Sequence, residues 1–378
     1  MKNDIPLKTI LGQGSGRRTQ PAIVLTDVQQ YEILEAAVPP DPGPGEVVVN
    51  VQHGGICGTD YSCWGDKFPF VSRPIISGHE LGGVIVKVGS GVMNVQEGDR
   101  VAVEPYLPNC GKSNCRNCRK GRTGACRGNI TRGVMAQNAG GWQPLYTVRA
   151  DRVHKSETLS TKDLCLVEML GVGNHAVERV IGKLPAAGEK PLEGQDLLVI
   201  GSGPIGLGAA RTAQHWGARV IVADMVDAKL QTAKRVLSDP KTILFGEGAE
   251  ENFEAVQAVC GAEMPEFVID ATGSNVSMSH AMDFLEDGGV LGYVGITAAA
   301  LTFLHEAMHL PEIDIRACRN SSGPNFASVI GMMESEDFDA TAWFTHGTDF
   351  GRFLDDFPVF AKPQTGVLKA TVEIPAAS

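Results

Sequence analysis

The chain has 378 residues, a formal net charge of -11, 45 glycines and nine cysteines. Its length is sufficient for two or three domains with a large hydrophobic core. The acidic balance argues against a nucleic-acid partner, because the phosphates of a nucleic acid bind basic surfaces.

The start of the sequence has no apolar run of signal-peptide length, and no stretch reaches the roughly 18 apolar residues of a membrane span. We therefore expect a cytoplasmic protein with no membrane partner. Thiols stay reduced in that compartment, so clustered cysteines there are more often metal ligands than disulfides. Residues 1–20 carry no informative pattern, and we expect them to form an N-terminal extension.

The first candidate site is spread over three short motifs. "GGICGTDYSCW" contains Cys57 and Thr59, "SGHELGG" contains His79 and Glu80, and "LVEMLGVGNHA" contains Glu168. Each residue alone is weak evidence, but together they are a mixed set of sulfur, nitrogen and oxygen donors. Such a set is typical of catalytic zinc, because it leaves one coordination position for water or an alcohol oxygen. Zinc at such a site acts as a Lewis acid and stabilises an alkoxide.

Four cysteines fall in the short basic stretch "CGKSNCRNCRKGRTGAC", at Cys110, Cys115, Cys118 and Cys126. Four thiolates fill the tetrahedral coordination of zinc and leave no room for substrate, so a site of this kind is structural. The lysines and arginines of the stretch would offset the negative charge of a zinc tetrathiolate. The alternative interpretation is a set of free surface cysteines.

The strongest local motif is "DLLVIGSGPIGLGAARTAQHWGARVIVAD". Its apolar residues 197–200 predict a buried parallel strand. Gly201, Gly203 and Gly206 follow as G-x-G-x-x-G, the pattern of a dinucleotide-binding turn between strand and helix. Pro204 suits the first turn of that helix, whose positive N-terminal end would face the phosphates.

A second predicted strand, "ARVIVAD", ends at Asp224, at the expected distance from the glycines. A carboxylate there accepts hydrogen bonds from the adenosine ribose and repels a 2′-phosphate, which favours NAD over NADP. The later runs "EFVIDATGS" and "GGVLGYVGI" are predicted to be further strands of the same sheet.

The order of these motifs resembles the zinc-dependent medium-chain alcohol dehydrogenase superfamily, over nearly the whole chain after about residue 20. "CGTD", "VEML" and the closing "FPVFAKPQTGVLKATVEI" are similar to its polyol and sugar-acid dehydrogenase branch, which includes sorbitol and hexonate dehydrogenases. The resemblance implies an α/β fold with two domains. A GroES-like β-rich catalytic domain would comprise residues 21–167 and 319–378, and a Rossmann domain with a doubly wound parallel sheet would comprise residues 168–318. It also implies a homo-oligomer, either a dimer or a tetramer.

The resemblance assigns roles by position. Cys57, His79 and Glu168 would be zinc ligands, and Glu80 either a fourth ligand or one that exchanges with water. Which of the two glutamates binds directly is left open. Thr59 would relay the substrate proton. The candidate cofactor-binding residues are Gly201, Gly203, Pro204, Ile205, Gly206, Asp224, Arg319 and Lys369, with Asn320 beside Arg319 at a loop near the nicotinamide.

The sequence departs from the family in two places. The first gap in the cysteine stretch is four residues rather than two, which puts the role of Cys110 in question. Many relatives have a histidine where this chain has Ser62, so the proton would leave through Ser62, water or the ribose. His175 would either line the substrate pocket or be a hydrogen-bonded residue at a helix start.

We therefore predict a zinc-dependent oxidoreductase. It would transfer a hydride from a secondary alcohol of a polyol, sugar or sugar acid to NAD+ and yield the ketone. The alternative within enzymes is a threonine or simple-alcohol dehydrogenase with the same zinc and cofactor. The alternative outside enzymes is an NAD-binding regulator without turnover.

Overall fold

The computed structural model describes residues 18–108, 112–135, 139–261, 263–335 and 337–377. The chain divides into two compact units. Unit 1 comprises Met1–Glu168 and Trp343–Ser378, and unit 2 comprises Met169–Ala342. Unit 2 is thus continuous in sequence and is inserted into unit 1.

The helices and strands follow one another in a simple order. Those before the first boundary are β1 Thr19–Asp27, β2 Gln30–Ala37, β3 Glu46–Ile56, α1 Gly58–Trp64, β4 Ile75–Ile76, β5 Glu80–Val88, β6 Arg100–Val103, β7 Tyr106–Pro108, α2 Arg116–Arg119, β8 Asn129–Thr131, β9 Leu145–Arg149 and β10 Val153–Ser156. Helix α3, Leu166–Ile181, crosses the boundary between the units.

Unit 2 alternates strands with helices. Its elements after α3 are β11 Asp196–Ile200, α4 Pro204–His215, β12 Arg219–Asp224, α5 Asp227–Val236, β13 Lys241–Leu244, α6 Ala249–Cys260, β14 Phe267–Asp270, α7 Asn275–His280, β15 Val290–Tyr293, α8 Glu306–His309, β16 Asp314–Ala317 and α9 Gly323–Met333. The chain then returns to unit 1 with β17 Phe344–Asp349, α10 Phe353–Phe360 and β18 Lys369–Glu373.

Within the described residues, the main sheet of unit 1 has the strand order β10-β6-β5-β3-β18-β17, and β9 also pairs with β3. Strands β1, β2 and β4 form a second sheet, and β7 pairs with β8. The core between these strands contains Val49, Val51, Trp142 and Phe353, all fully buried. Because β18 pairs with β3, the returning segment is part of the same sheet as the first strands.

Unit 2 contains a six-stranded parallel sheet in the order β13-β12-β11-β14-β15-β16. Counted within the unit, this is the order 3-2-1-4-5-6 of a doubly wound dinucleotide-binding fold. The predicted run 197–200 is the central strand, and its residues are at most 3% exposed. A continuous apolar run forms such a strand because helices cover both faces of a parallel sheet. The predicted fold class is confirmed.

Three predicted boundaries differ from the structure. The N-terminal extension was predicted to end at residue 20, but β1 starts at Thr19, and Gln20 is buried with its amide donating to Gln143 Oε1 at 3.0 Å. Residues 1–17 lie outside the described part of the chain.

The return to unit 1 was predicted at residue 319, whereas the unit boundary lies between Ala342 and Trp343. The first boundary, predicted before residue 168, follows Glu168 instead. Helix α9 explains the later return, because it packs against α4 and carries a buried polar side chain. The amide of Asn325 in α9 donates to Asn174 Oδ1 and to Glu178 Oε2, both in α3 and both at 2.9 Å.

Candidate metal and dinucleotide sites

Three side chains of unit 1 form a compact group of potential metal ligands. One ligand atom each from Cys57, His79 and Glu80 lies within 4.8 Å of the others. His79 is 3% exposed, Glu80 is fully buried, and Cys57 is half-buried. The sequence motifs that carry these residues are therefore brought together by the fold.

The pairing of β3 with β5 sets this geometry. Cys57 follows the last residue of β3 and caps the N-terminus of α1, while Glu80 begins β5 directly opposite Gly55. A Cβ atom at Gly55 would lie 2.1 Å from Glu80 Oε2. Glycine at this position is therefore required for the carboxylate to lie against the strand.

A carboxylate that the sequence analysis left without a role supports this group. Asp60 Oδ2 accepts a hydrogen bond of 2.8 Å from the backbone N–H of Cys57, and Oδ1 lies 3.6 Å from Nδ1 of His79. Burial raises the pKa of Asp60 to about 6, although His79 opposes the shift. Burial lowers the pKa of the His79 ring, but Asp60 and Cys57 outweigh it and the net shift is upward.

The group fits a metal ion on three grounds. It combines a thiol, an imidazole and a carboxylate, which are the donors that zinc uses. Its imidazole and its carboxylate are buried, where polar groups need binding partners. His79 Nδ1 is buried and has no hydrogen-bond partner among the described residues, and an unpaired buried nitrogen of this kind calls for an explanation.

Lys369 is part of the same neighbourhood. Its Nζ lies 2.7 Å from both carboxylate oxygens of Glu80 and 3.4 Å from the carbonyl oxygen of Ile56, and the side chain is 1% exposed. The prediction that Lys369 serves the cofactor phosphates is therefore revised, since its ammonium group is paired with Glu80.

Glu168 lies near the group but outside it. Its carboxylate accepts a hydrogen bond from the hydroxyl of Tyr106, and the side chain is 6% exposed. Burial raises the pKa of Glu168 to about 7, while His79 acts in the opposite direction. Of the two glutamates, Glu80 is the one whose carboxylate joins Cys57 and His79.

The two hydroxyl residues predicted for proton transfer lie on α1. Thr59 occupies its first turn and is half-buried. Ser62 Oγ donates a hydrogen bond of 3.0 Å to the carbonyl oxygen of Gly58. In this structure the Ser62 hydroxyl therefore binds back to its own helix.

The cysteine stretch gives a second group of ligands. Sulfur atoms of Cys115, Cys118 and Cys126 lie within 4.8 Å of one another. Cys115 precedes α2, Cys118 lies within that helix, and Cys126 is buried. Cys110 lies outside the described residues, so its place in a fourth position stays a prediction.

The dinucleotide turn lies between β11 and α4, as the motif predicts. Gly201 has φ +97°, and a Cβ at Gly206 would lie 1.9 Å from the carbonyl oxygen of Gly201. A Cβ at Gly203 would meet nothing within 4 Å. Two of the glycines are thus required by the fold itself, whereas the third leaves open space. Pro204 and Ile205 form the first turn of the helix and are half-buried.

Asp224 ends β12 beside this turn. Its Oδ2 accepts hydrogen bonds of 2.8 Å from both the backbone N–H and the hydroxyl of Ser202, and Oδ1 accepts one of 3.0 Å from the backbone N–H of Val226. Ser202 lies between the first two glycines of the motif. The structure therefore places the carboxylate at the turn.

The loop after β16 carries the last predicted residues. Arg319 is exposed, and Asn320 adopts a left-handed backbone conformation with φ +57°. The side-chain nitrogen of Asn320 is buried and has no hydrogen-bond partner among the described residues. His175 lies inside α3 rather than at a helix start, and its Nδ1 is 2.9 Å from Glu178 Oε2.

Two family models match different parts of the chain. Residues 43–158 match the alcohol dehydrogenase GroES-like domain, and residues 204–335 match the zinc-binding dehydrogenase domain. L-galactonate-5-dehydrogenase from Escherichia coli K12 is 32% identical over 318 residues, which is 84% of this chain and 88% of the relative. The chain belongs to the zinc-dependent medium-chain alcohol dehydrogenases. The family named from the sequence motifs, in its polyol dehydrogenase branch, is confirmed.

Further relatives of the dehydrogenase carry similar names. Human sorbitol dehydrogenase is 31% identical over 334 residues, covering 85% of this chain and 88% of the relative. The crystal structure of an alcohol dehydrogenase from Escherichia coli CFT073 in complex with NADH superposes with a TM-score of 0.80 at 26% identity, covering 94% of this chain and 99% of that one. Among the described residues of the dehydrogenase, no helix is both long and apolar enough to cross a membrane.

Sequence reasoning on this dehydrogenase missed two side chains at the metal group. Asp60 was visible in "CGTDY", where a carboxylate three residues after a helix N-cap is the signal of a capping box. Tyr106 had no such signal, because only the fold brings β7 to Glu168.

Proposed function

We propose that this dehydrogenase oxidises a secondary alcohol of a polyol, sugar or sugar acid to the ketone, with NAD+ as hydride acceptor. The observation that carries the proposal is the group of Cys57, His79 and Glu80, with ligand atoms within 4.8 Å of one another. A group of this composition supports zinc chemistry on an alcohol oxygen.

Cys57, His79 and Glu80 would hold the zinc ion, with Glu168 close enough to interact electrostatically with His79. Zinc bound there supplies a Lewis acid that lowers the pKa of a substrate hydroxyl. Asp60 fixes the Cys57 end of α1 and faces the His79 ring, and this kind of outer support orients metal ligands.

Residues around the group would balance its charge, orient Glu168 and take part in proton transfer. Lys369 balances the buried charge of Glu80 at 2.7 Å, so that carboxylate is paired even without a metal ion. Tyr106 donates to Glu168 and orients it. We assign proton removal to the hydroxyl of Thr59, which is the residue of α1 two positions after Cys57 and is not fully buried.

Unit 2 would bind the dinucleotide at the turn between β11 and α4. The open space beside Gly203 lets the pyrophosphate approach the backbone, and the N-terminus of α4 adds favourable dipole charge. Asp224 supports NAD+ over NADP+, since a 2′-phosphate brought to this turn would meet a carboxylate. Related solved dehydrogenases hold NADH in one case and NADP in another, so the preference for NAD+ rests on Asp224.

The substrate class rests on the relatives, whose names include L-galactonate and sorbitol. The test is NADH formation by zinc-loaded protein across polyols, sugar acids, threonine and simple alcohols. Turnover on one polyhydroxylated class is the expected result. Turnover only on threonine or a simple alcohol would replace the substrate class, and no turnover with zinc and NAD+ bound would favour a regulator.

A pair of cysteine variants tests the metal group. Cys57→Ala should lower kcat/KM by roughly a thousandfold, since zinc contributes several kcal/mol to catalysis, and NAD+ binding should persist. Cys63→Ala is the matched control, because Cys63 is a buried cysteine of the same helix outside the ligand group. Equal activity of the two variants would contradict the assignment.

The cytoplasmic location and the homo-oligomer stay predictions.

A further inference from the structure

An exposed pair of histidines in unit 2 takes no part in the sites described above. His305 and His309 lie in the segment between β15 and β16, at either end of the short helix α8. Both side chains are exposed. Their rings stack with centroids 5.1 Å apart and with 21° between the ring planes.

The backbone holds the two histidines one helical turn apart. The N–H of His309 donates to the carbonyl oxygen of His305 at 2.9 Å, which is the hydrogen bond of one α-helical turn. His305 and Leu310, on either side of α8, also have helical backbone angles. Residues four apart on a helix lie on the same face, so the two rings project side by side.

The segment is also fixed to unit 2. Met308, between the two histidines, packs against the hydrophobic core of the parallel sheet. The N–H of Ile313 donates to the carbonyl oxygen of Met308 at 3.0 Å, and the N–H of Gly288 donates to that of Pro311 at 2.6 Å. The two rings are therefore presented by a supported turn rather than by an isolated peptide.

We propose that His305 and His309 form a surface site that chelates one divalent transition-metal ion of the nickel, copper or zinc type. Two imidazoles four residues apart on a helix are a known arrangement for binding such an ion. The exposed rings can turn about their side-chain torsions so that each directs a nitrogen to the same ion. The net charge of the chain, -11, favours accumulation of cations.

The ligand number sets what this site can do. In the described part of the chain, the compact groups of three or more potential ligands are the two in unit 1, and neither includes these histidines. Water would therefore fill the remaining positions of the ion. Despite the H-E-x-x-H spacing of residues 305–309, the site lacks the third protein ligand of a catalytic zinc site.

Chelation makes a specific energetic prediction. Once one ring binds the ion, the second binds it intramolecularly, and this gains on the order of a hundredfold in affinity. Copper should bind more tightly than either nickel or zinc. We predict no order between nickel and zinc, because site geometry modulates the general order of divalent affinities. An ion that links the two rings should also raise the melting temperature, since it binds only the folded turn.

The experiment is titration of zinc-loaded protein with NiCl2 by isothermal calorimetry. We expect one nickel site per chain, weakened on the order of a hundredfold in His305→Gln and equally in His309→Gln. The double variant should bind little more weakly than either single variant, because one ring alone has already lost the chelate. Circular dichroism spectra would verify that each variant is folded.

His280→Gln is the matched control. His280 is an exposed histidine at the end of α7, and its Nδ1 is 3.1 Å from Asp283 Oδ2. Its replacement should leave nickel affinity unchanged. If wild-type protein and the double variant bind nickel equally, or if the two single losses add, the proposed chelate is wrong. Zinc content after titration identifies nickel that has merely exchanged into unit 1.

Discussion

At and near the candidate metal group, the hydrogen-bond partner of each buried glutamate determines its electrostatic environment. Glu80 and Glu168 are both buried glutamates, yet their partners differ: Glu80 is paired with the ammonium group of Lys369, whereas Glu168 accepts from a phenol. Burial disfavours the charged form of a carboxylate and therefore raises its pKa. The upward shift of the Glu168 pKa to about 7 follows this rule.

Tyr106 is predicted to be a positioning residue for Glu168. Tyr106→Phe keeps the ring but removes the donated hydrogen bond, so kcat should fall roughly 10- to 100-fold, as for other supporting partners of metal sites. Zinc content, measured by mass spectrometry, should not change. Tyr146→Phe is the control, since Tyr146 is an equally buried tyrosine of β9 that packs against Arg132 instead. Equal kinetics in the two variants would argue against this role.

Asp224 is predicted to set the choice of cofactor. Asp224→Gly removes the carboxylate at the turn, and the ratio of kcat/KM for NADP+ to that for NAD+ should rise by roughly tenfold or more, because a like-charge contact costs several kcal/mol. Asp224→Asn keeps an acceptor for Ser202 and removes only the charge. The same relaxation in both variants would identify charge as the cause, and an unchanged ratio would refute the role.

At the scale of elements, two glycines in the strand-turn-helix of unit 2 have different surroundings, one packed and one open. Gly206 packs against the carbonyl oxygen of Gly201, and this contact brings α4 close to β11. Gly203 has φ -74° and ψ 177°, angles that any residue adopts, and faces open space. We therefore predict that Gly206 serves the fold and that Gly203 serves the ligand.

Two alanine substitutions should show this division. Gly206→Ala introduces an overpacked contact and should lower the free energy of unfolding by about 1–3 kcal/mol. Gly203→Ala should leave stability nearly unchanged and weaken NAD+ binding, because the new methyl group occupies the space of the pyrophosphate. Thermal unfolding and fluorescence titration with NADH distinguish the two. Equal effects of both substitutions on stability would contradict the division.

At the scale of the whole molecule, the two candidate metal groups of unit 1 are held by different parts of the fold. The group with Cys57 lies at the ends of the main-sheet strands β3 and β5, whereas the cysteine group lies on short segments around α2. A short loop with few apolar contacts gains most from a metal ion, because metal binding supplies folding free energy.

Cys118→Ser should therefore remove one zinc ion per chain and lower the melting temperature. The activity of the protein that stays folded should be retained, since Cys118 does not belong to the group with His79. Metal analysis, calorimetry and a rate assay at low temperature measure the three effects. Loss of both zinc ions in this variant would show that the two groups depend on each other.

The sequence predicted what is local and missed what is distant. The glycine turn, the parallel strands and the candidate ligands Cys57 and His79 follow from contiguous motifs with a stated physical purpose. The partner of Lys369 could not be predicted, because Glu80 is 289 residues away and no motif links them. The return to unit 1 lies at Trp343 but was predicted at residue 319, for a similar reason. Polar contacts of α9 with α3, which no motif indicates, hold residues 319–342 in unit 2.

The position of β18 between β3 and β17 has a consequence for biosynthesis. On the ribosome, unit 2 is complete before β18 has been made, because its residues 169–342 form an uninterrupted insertion. Until then residues 53–56 of β3 lack their partners in β18, and the carboxylate of Glu80 lacks its counterion. The nascent chain thus carries a finished nucleotide fold and, in unit 1, an open sheet edge, the kind of surface that chaperones protect.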